Sequence, residues 1–269
     1  MRGGDDRLRL MNIKPQNEID FWTAISQQWS VLDPWNRHAV IFVHGYNVSF
    51  EGAALRAAQI GYDLSINGAM AFFSWPSQGR TSDYPVDEDA IEQSEIPIAD
   101  FMIDFAAKSG ADVVHIIAHS MGNRGVLRAV NRIADRAEQQ SGVPFGQIAL
   151  AAADVNANTF RSLCGAYSRV AKRTTLYVSE GDLAIGASVW LHKFPRVGLL
   201  PPVFVVSGID TVNVANVDLS FLGHGYVAEA RSVLTDMYQL FSSDAPPERR
   251  FGLRRDATET GENFWSLAR

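Results

Sequence analysis

A chain of 269 residues with 46% hydrophobic and 20% charged side chains is long enough to bury a large core in one domain, and its balance excludes a disordered or fibrous protein. Its 30 acidic against 24 basic residues leave a net charge of -6, and the basic ones are scattered, which argues against nucleic acid or an anionic membrane as main partner. The single cysteine, Cys164, excludes an internal disulfide and a cysteine-rich metal centre, and no apolar run is long enough to span a bilayer.

The opening residues, Met1 to Arg7, carry no apolar signal-peptide core. A cytoplasmic product is therefore expected, or an exported one if an N-terminal segment has been removed. Arg7 to Ile13 reads as an early strand, and Glu18 to Val31 as a helix with Trp22 and Trp29 on its apolar side. Ala39 to Val43 is a buried strand leading into His44-Gly45-Tyr46-Asn47, after which Ser49 and Glu51 open a helix to about Leu64. Ala69 to Trp75 is the next strand. Ser77, Gly79, Ser82 and Pro85 mark Pro76 to Asp87 as a surface loop, followed by one long helix from Glu88 to Lys108.

The branched run Asp112 to Ala118 is a further strand, and from Asn123 the residues Val126, Leu127, Val130, Ile133, Ala134 and Ala137 recur at helical spacing. Gln147 to Ala152 and Thr174 to Ser179 are strands that lead into acids: Asp154 after the first, Glu180 and Asp182 after the second. Thr211 to Val217 is another strand, and Tyr226 to Phe241 is a helix. Residues 242–269, rich in Pro, Arg, Glu and Thr, read as a surface tail that Phe264 and Trp265 pin to a core spanning about 39–241. Strands alternating with helices predict an α/β fold, with a mostly parallel central sheet and helices on both faces.

Ala118-His119-Ser120-Met121-Gly122 lies where a strand turns into a helix, the layout of a nucleophile elbow. Ala118 and Gly122 supply the small residues that such a turn demands two positions either side of Ser120. A serine hydroxyl needs a base to take its proton and a carboxylate to orient that base. Functional groups of open α/β sheets gather at the carboxyl ends of strands, which selects His224, in Gly223-His224-Gly225, as the base. Asp182, in a tight turn, is the preferred acid, Asp154 the alternative, and Glu180 a lesser one. The order Ser120, Asp182, His224 is the nucleophile, acid, base order of this architecture. The amides of Met121 and Tyr46 are candidate oxyanion donors, with Gly45 allowing close approach of the backbone. His44, Gly45, Asn47, Trp75 and His119 are candidate pocket residues. His44 is expected to shape its loop, and His115, inside a strand, to serve the core.

The chain resembles α/β-hydrolases, and more narrowly the bacterial esterase/lipase-like hydrolases of unknown function of the DUF900 type. The resemblance covers about residues 39–241. It rests on Ile41-Phe42-Val43-His44-Gly45-Tyr46-Asn47, Phe73-Ser74-Trp75-Pro76-Ser77, Ala118 to Arg124, and Leu150-Ala151-Ala152-Ala153-Asp154. It implies an eight-stranded sheet whose first strands are short or absent here, and a triad of Ser120, Asp182 and His224. The expected activity is hydrolysis of carboxylic esters of short acyl chain through an acyl-enzyme, with no metal and no organic cofactor. A lipase, thioesterase or acyltransferase would use the same triad. Dehalogenase and epoxide hydrolase chemistry is disfavoured because both need an aspartate where Ser120 stands. A hydrolase fold used only for binding is the alternative of a different class. Trp190 to Val206 is the one apolar connection long enough to act as a lid or a pocket wall.

Overall fold

Side chains alternate across a strand, and in this chain both sets are apolar because both faces of the sheet are covered. In β1 (His38–Val43), Ala39, Ile41 and Val43 enter one core cluster while Val40 and Phe42 enter a second. The same division runs through β3 (Val113–His119), β4 (Phe145–Ala151) and β5 (Ala171–Val178). A computed structural model describes residues 9–29, 37–66, 68–137, 144–179, 194–214 and 230–267. With β2 (Ala69–Phe73), β6 (Asp210–Asn213), β7 (Leu253–Ala257) and β8 (Asn263–Leu267), they form an eight-stranded sheet of order β2-β1-β3-β4-β5-β6-β8-β7. Every pairing is parallel except the antiparallel β7–β8 edge.

The first cluster is closed by α1 (Glu18–Gln28), α3 (Tyr84–Gln93), α4 (Glu95–Lys108), α5 (Gly122–Ala137), α6 (Ala157–Leu163) and α7 (Tyr167–Val170). The second is closed by α2 (Phe50–Asp63) and α8 (Ala230–Ser243). Arg128, Arg132 and Arg136, one turn apart on α5, pair with Glu92 of α3 and with Glu95 and Asp100 of α4. Exposed pairs of this kind fix the helix register more than they stabilise the fold.

Three expectations change. Arg9 to Ile13 is not a strand, and Met11 and Ile13 are exposed, because an alternating pattern makes a strand only where a neighbour pairs with it. The expected single helix Glu88 to Lys108 starts earlier, at Tyr84, and breaks at Ser94. Pro97 has no N–H for the carbonyl of Gln93 and its ring clashes there, so the first helix ends at that residue. The stretch 242–269 is more than a surface tail: it supplies β7 and β8, and Phe264 is buried while Trp265 packs on the second cluster. No helix among the described residues is long and apolar enough to cross a membrane.

At the amino ends of the strands, His115 is buried, with Nδ1 accepting from the Gln147 amide at 3.0 Å and Nε2 at 3.3 Å from His38 Nδ1. Burial pushes the His115 imidazole down to about 3, with the neighbouring His38 and Lys172 acting in the same direction. A neutral buried histidine contributes stability that is complete above its unfolded pKa, near 6.5, and is lost as pH falls from there toward its folded value. The melting temperature is therefore expected to fall between pH 7 and 4.5. His115→Asn, which keeps an acceptor for the Gln147 amide, is expected to flatten that fall; an unchanged slope would remove His115 from the effect.

Candidate active site

Ser120 stands between the end of β3 and the start of α5 with φ 49, a left-handed backbone that a side chain rarely adopts. Such a residue costs on the order of 1–3 kcal/mol and persists only where its surroundings dictate it. Here the Ser120 amide donates to Ala151 O at 3.0 Å, and its carbonyl accepts from the Asn123 amide at 3.1 Å and the Asp154 amide at 3.2 Å. Asn123, fully buried, donates through Nδ2 to the carbonyls of Ser120, Ala118 and Ala151 at 3.0, 3.2 and 3.2 Å. One side-chain amide thus ties the turn to the ends of β3 and β4. A Cβ on Gly122 would lie 2.4 Å from the His44 carbonyl oxygen, so the helix can start this close to β1 only with glycine there.

The loop after β1 packs directly on the elbow. A Cβ on Gly45 would stand 2.9 Å from Ser120 Cβ and 3.0 Å from His119 Nδ1, which brings together three of the residues expected from sequence. His44 is fully buried, its ring stacked on Trp75 at 5.0 Å, with Nδ1 donating to Gly45 O at 2.8 Å and its own carbonyl accepting from Trp75 Nε1 at 2.8 Å. Burial lowers the His44 imidazole to about 4, outweighing the backbone acceptor that favours its charged form. It is a neutral scaffold ring at pH 7.

Asn47 takes φ 56 and donates its amide to Asp87 Oδ2 at 3.3 Å, while the Val48 amide donates to Ser77 Oγ at 3.2 Å. Asp87 is fully buried and also accepts from Ser77 Oγ and the Gln78 amide, both at 2.7 Å. A single carboxylate on α3 therefore fastens the loop holding Tyr46 to the loop after β2. Burial, with Asp87 and Asp83 nearby, raises the Tyr46 phenol, and its ring meets Tyr84 edge-on at 5.1 Å. Met121 is fully buried and His119 nearly so.

Asp154 follows β4, and its carboxylate is held from several sides. Oδ2 accepts from the Tyr84 hydroxyl and pairs with Arg124 Nη2 at 3.3 Å, and Oδ1 lies 3.3 Å from Arg196 Nε. Arg124 also pairs with Glu88 and donates to Tyr84 Oη at 2.8 Å and to the Asp154 carbonyl at 2.7 Å. Burial alone would lower the Arg124 guanidinium, but Asp154, Tyr84 and Glu88 outweigh it and hold the group charged above its ordinary range. Asp182, Glu180 and His224 lie outside the described residues. Asn123, Arg124, Asp87, Tyr84 and Arg196 were not among the site residues expected from sequence. Only Asn123 and Arg124 carried a signal, by standing next to the elbow. Among the described residues no group of three or more His, Cys, Asp or Glu side chains gathers as a metal site.

The model of a family described as "Alpha/beta hydrolase of unknown function (DUF900)" matches residues 26–242. The uncharacterized protein alr1448 of Nostoc sp. is 30% identical over 126 residues, covering 38% of this chain and 33% of that one. The match thus spans about a third of that relative's length. Among solved structures, carboxyl esterase 2 of the fungus Tuber melanosporum is 11% identical with a TM-score of 0.43, covering 77% of this chain and 78% of that one. RedJ thioesterase of Streptomyces coelicolor is 12% identical with a TM-score of 0.42, covering 88% and 98%.

Proposed function

Since the chain belongs to the DUF900 family of α/β-hydrolases, we propose that it is a serine esterase in which Ser120 is the nucleophile, His224 the base and Asp182 the acid. The observation that carries this reading is the left-handed Ser120 held between β3 and α5, with Gly45 pressed against it. His224 takes the hydroxyl proton as Ser120 Oγ bonds to the ester carbon. The resulting oxyanion is held by the Met121 and Tyr46 amides, each worth roughly 10²–10³ in rate. The C–O bond then breaks, the alcohol leaves with the proton from His224, and water repeats the sequence on the acyl-enzyme to release the acid. No step calls on a metal or organic cofactor.

Asp154 is already engaged by Tyr84, Arg124 and Arg196, which supports Asp182 as the group that orients His224. The described part of the apolar connection, residues 194–206, supports short acyl chains. Its Val197, Leu200 and Phe204 are buried in the first core cluster, and a Cβ on Gly198 would lie 2.2 Å from the Ala153 nitrogen. Side chains committed to the core are not available to cover a long acyl group. The expected result is turnover of p-nitrophenyl acetate and butyrate well above that of the decanoate; inertness to all three overturns the reading.

A further inference from the structure

The loop that carries the proposed oxyanion donor is pinned on both sides of Tyr46. On the near side, His44 Nδ1 donates to Gly45 O at 2.8 Å. The peptide joining Gly45 to Tyr46 is trans and planar, so fixing that carbonyl also fixes the Tyr46 N–H, which points the opposite way. On the far side, the Asn47 amide donates to Asp87 Oδ2 at 3.3 Å and the Val48 amide to Ser77 Oγ at 3.2 Å. Ser77 Oγ donates in turn to Asp87 Oδ2 at 2.7 Å, so both far anchors end at one carboxylate. The pinned peptide lies against the nucleophile, since a Cβ on Gly45 would stand 2.9 Å from Ser120 Cβ.

Asp87 is fully buried in the first turn of α3, and its partners are all neutral donors. Oδ2 accepts from Asn47 and Ser77, and Oδ1 from the Gln78 amide at 2.7 Å. Both oxygens must therefore accept, which an ionised carboxylate does and an amide cannot. An amide would turn its own N–H groups against one of these donors. Asn47 adds a second constraint, because its φ of 56 is a left-handed backbone that persists only where its surroundings impose it. Its bond to Asp87 holds it there. Without that bond Asn47 relaxes, and the Tyr46 N–H turns with it.

We propose that Asp87 is a positioning residue for the oxyanion hole, setting where the Tyr46 N–H points without touching the substrate. This rests on the esterase reading. A donor aimed at the oxyanion acts in the transition state, so Asp87 governs kcat rather than KM.

The test compares phenyl butyrate with its thiono analogue, in which sulfur replaces the carbonyl oxygen. Sulfur is larger and a poorer acceptor, so well-placed donors favour the oxygen ester, and wild-type kcat/KM is expected to be the higher for it. Asp87→Asn is expected to lower kcat for the oxygen ester about ten- to a hundredfold, with KM changed less than about threefold. The oxygen-over-sulfur ratio should fall by about tenfold. A purely structural role would lower the active fraction, cutting both rates alike and leaving the ratio as it was. An unchanged ratio in a folded Asp87→Asn, or a wild-type ratio of one or less, overturns the proposal and leaves the esterase reading standing. If Asp87→Asn does not fold, Ser77→Ala decides: a lowered ratio supports the proposal and an unchanged one overturns it. If the wild type cleaves neither ester, the esterase reading fails and the proposal falls with it.

Discussion

Ser120→Ala is expected to lower kcat/KM toward p-nitrophenyl butyrate by about 10⁴-fold or more, because the whole covalent route depends on one oxygen. The loss should come with little change in stability, about 1 kcal/mol at most. Alanine at φ 49 carries the same backbone strain as serine, and the bonds that hold the turn come from the backbone and from Asn123. A residual rate above that of buffer is also expected, since the amides proposed to face the oxyanion remain. Spectrophotometric rates with a melting curve on the same sample decide it. Equal rates in both proteins remove Ser120 from the mechanism, whereas a lost fold would show as a lowered melting temperature.

The second large effect separates two aspartates by the kind of damage each causes. Asp182→Asn is expected to lower kcat by about 10³–10⁴-fold, since an amide there would hold the base in the wrong tautomer. Asp154→Asn should act mainly on stability. It removes the charge between Arg124 and Arg196, whose side chains are 11% and 4% exposed, and leaves two buried cations short of a partner. Breaking a buried pair in this way costs about 3–5 kcal/mol, or on the order of 10 °C in a domain of this size. Measured at a temperature where both variants are folded, Asp182→Asn should lose more activity. The reverse order would make Asp154 the acid of the triad.

The central strands were legible because they are buried on both faces. Ile41 to Val43, Ile116 to Ala118 and Leu176 to Val178 read as continuous apolar runs, and only a covered parallel sheet needs such runs. β7 was not legible for the opposite reason. Leu-Arg-Arg-Asp-Ala is an edge strand, exposed from Arg254 onward, so no alternation of burial is written into it. Its turn is the better signal: Thr258 N donates to Glu262 O at 2.9 Å, with Gly261 at φ 84, the hairpin use of a late glycine. The break between α3 and α4 was legible in Pro97 alone, because apolar spacing continues across it.

At the site, the elbow and the loop after β1 were legible because backbone geometry restricts which residues fit: Gly45 against Ser120, Gly122 against the His44 carbonyl. The supporting residues were not, because they act over distances that no local pattern records. Asp87 reaches a loop 40 residues earlier, at Asn47, and Tyr84 meets Asp154 70 residues later. Arg196 meets that aspartate from a segment that reads only as an apolar connection. Their roles follow from parallel strands ending side by side, which gathers the loops that carry them.

The most direct test of the account is covalent. Incubation of the folded protein with a fluorophosphonate, followed by mass spectrometry of its peptides, is expected to place a single adduct on the peptide containing Ser120. Labelling should vanish in Ser120→Ala. An adduct on another residue, or none on a folded wild-type protein, would contradict it.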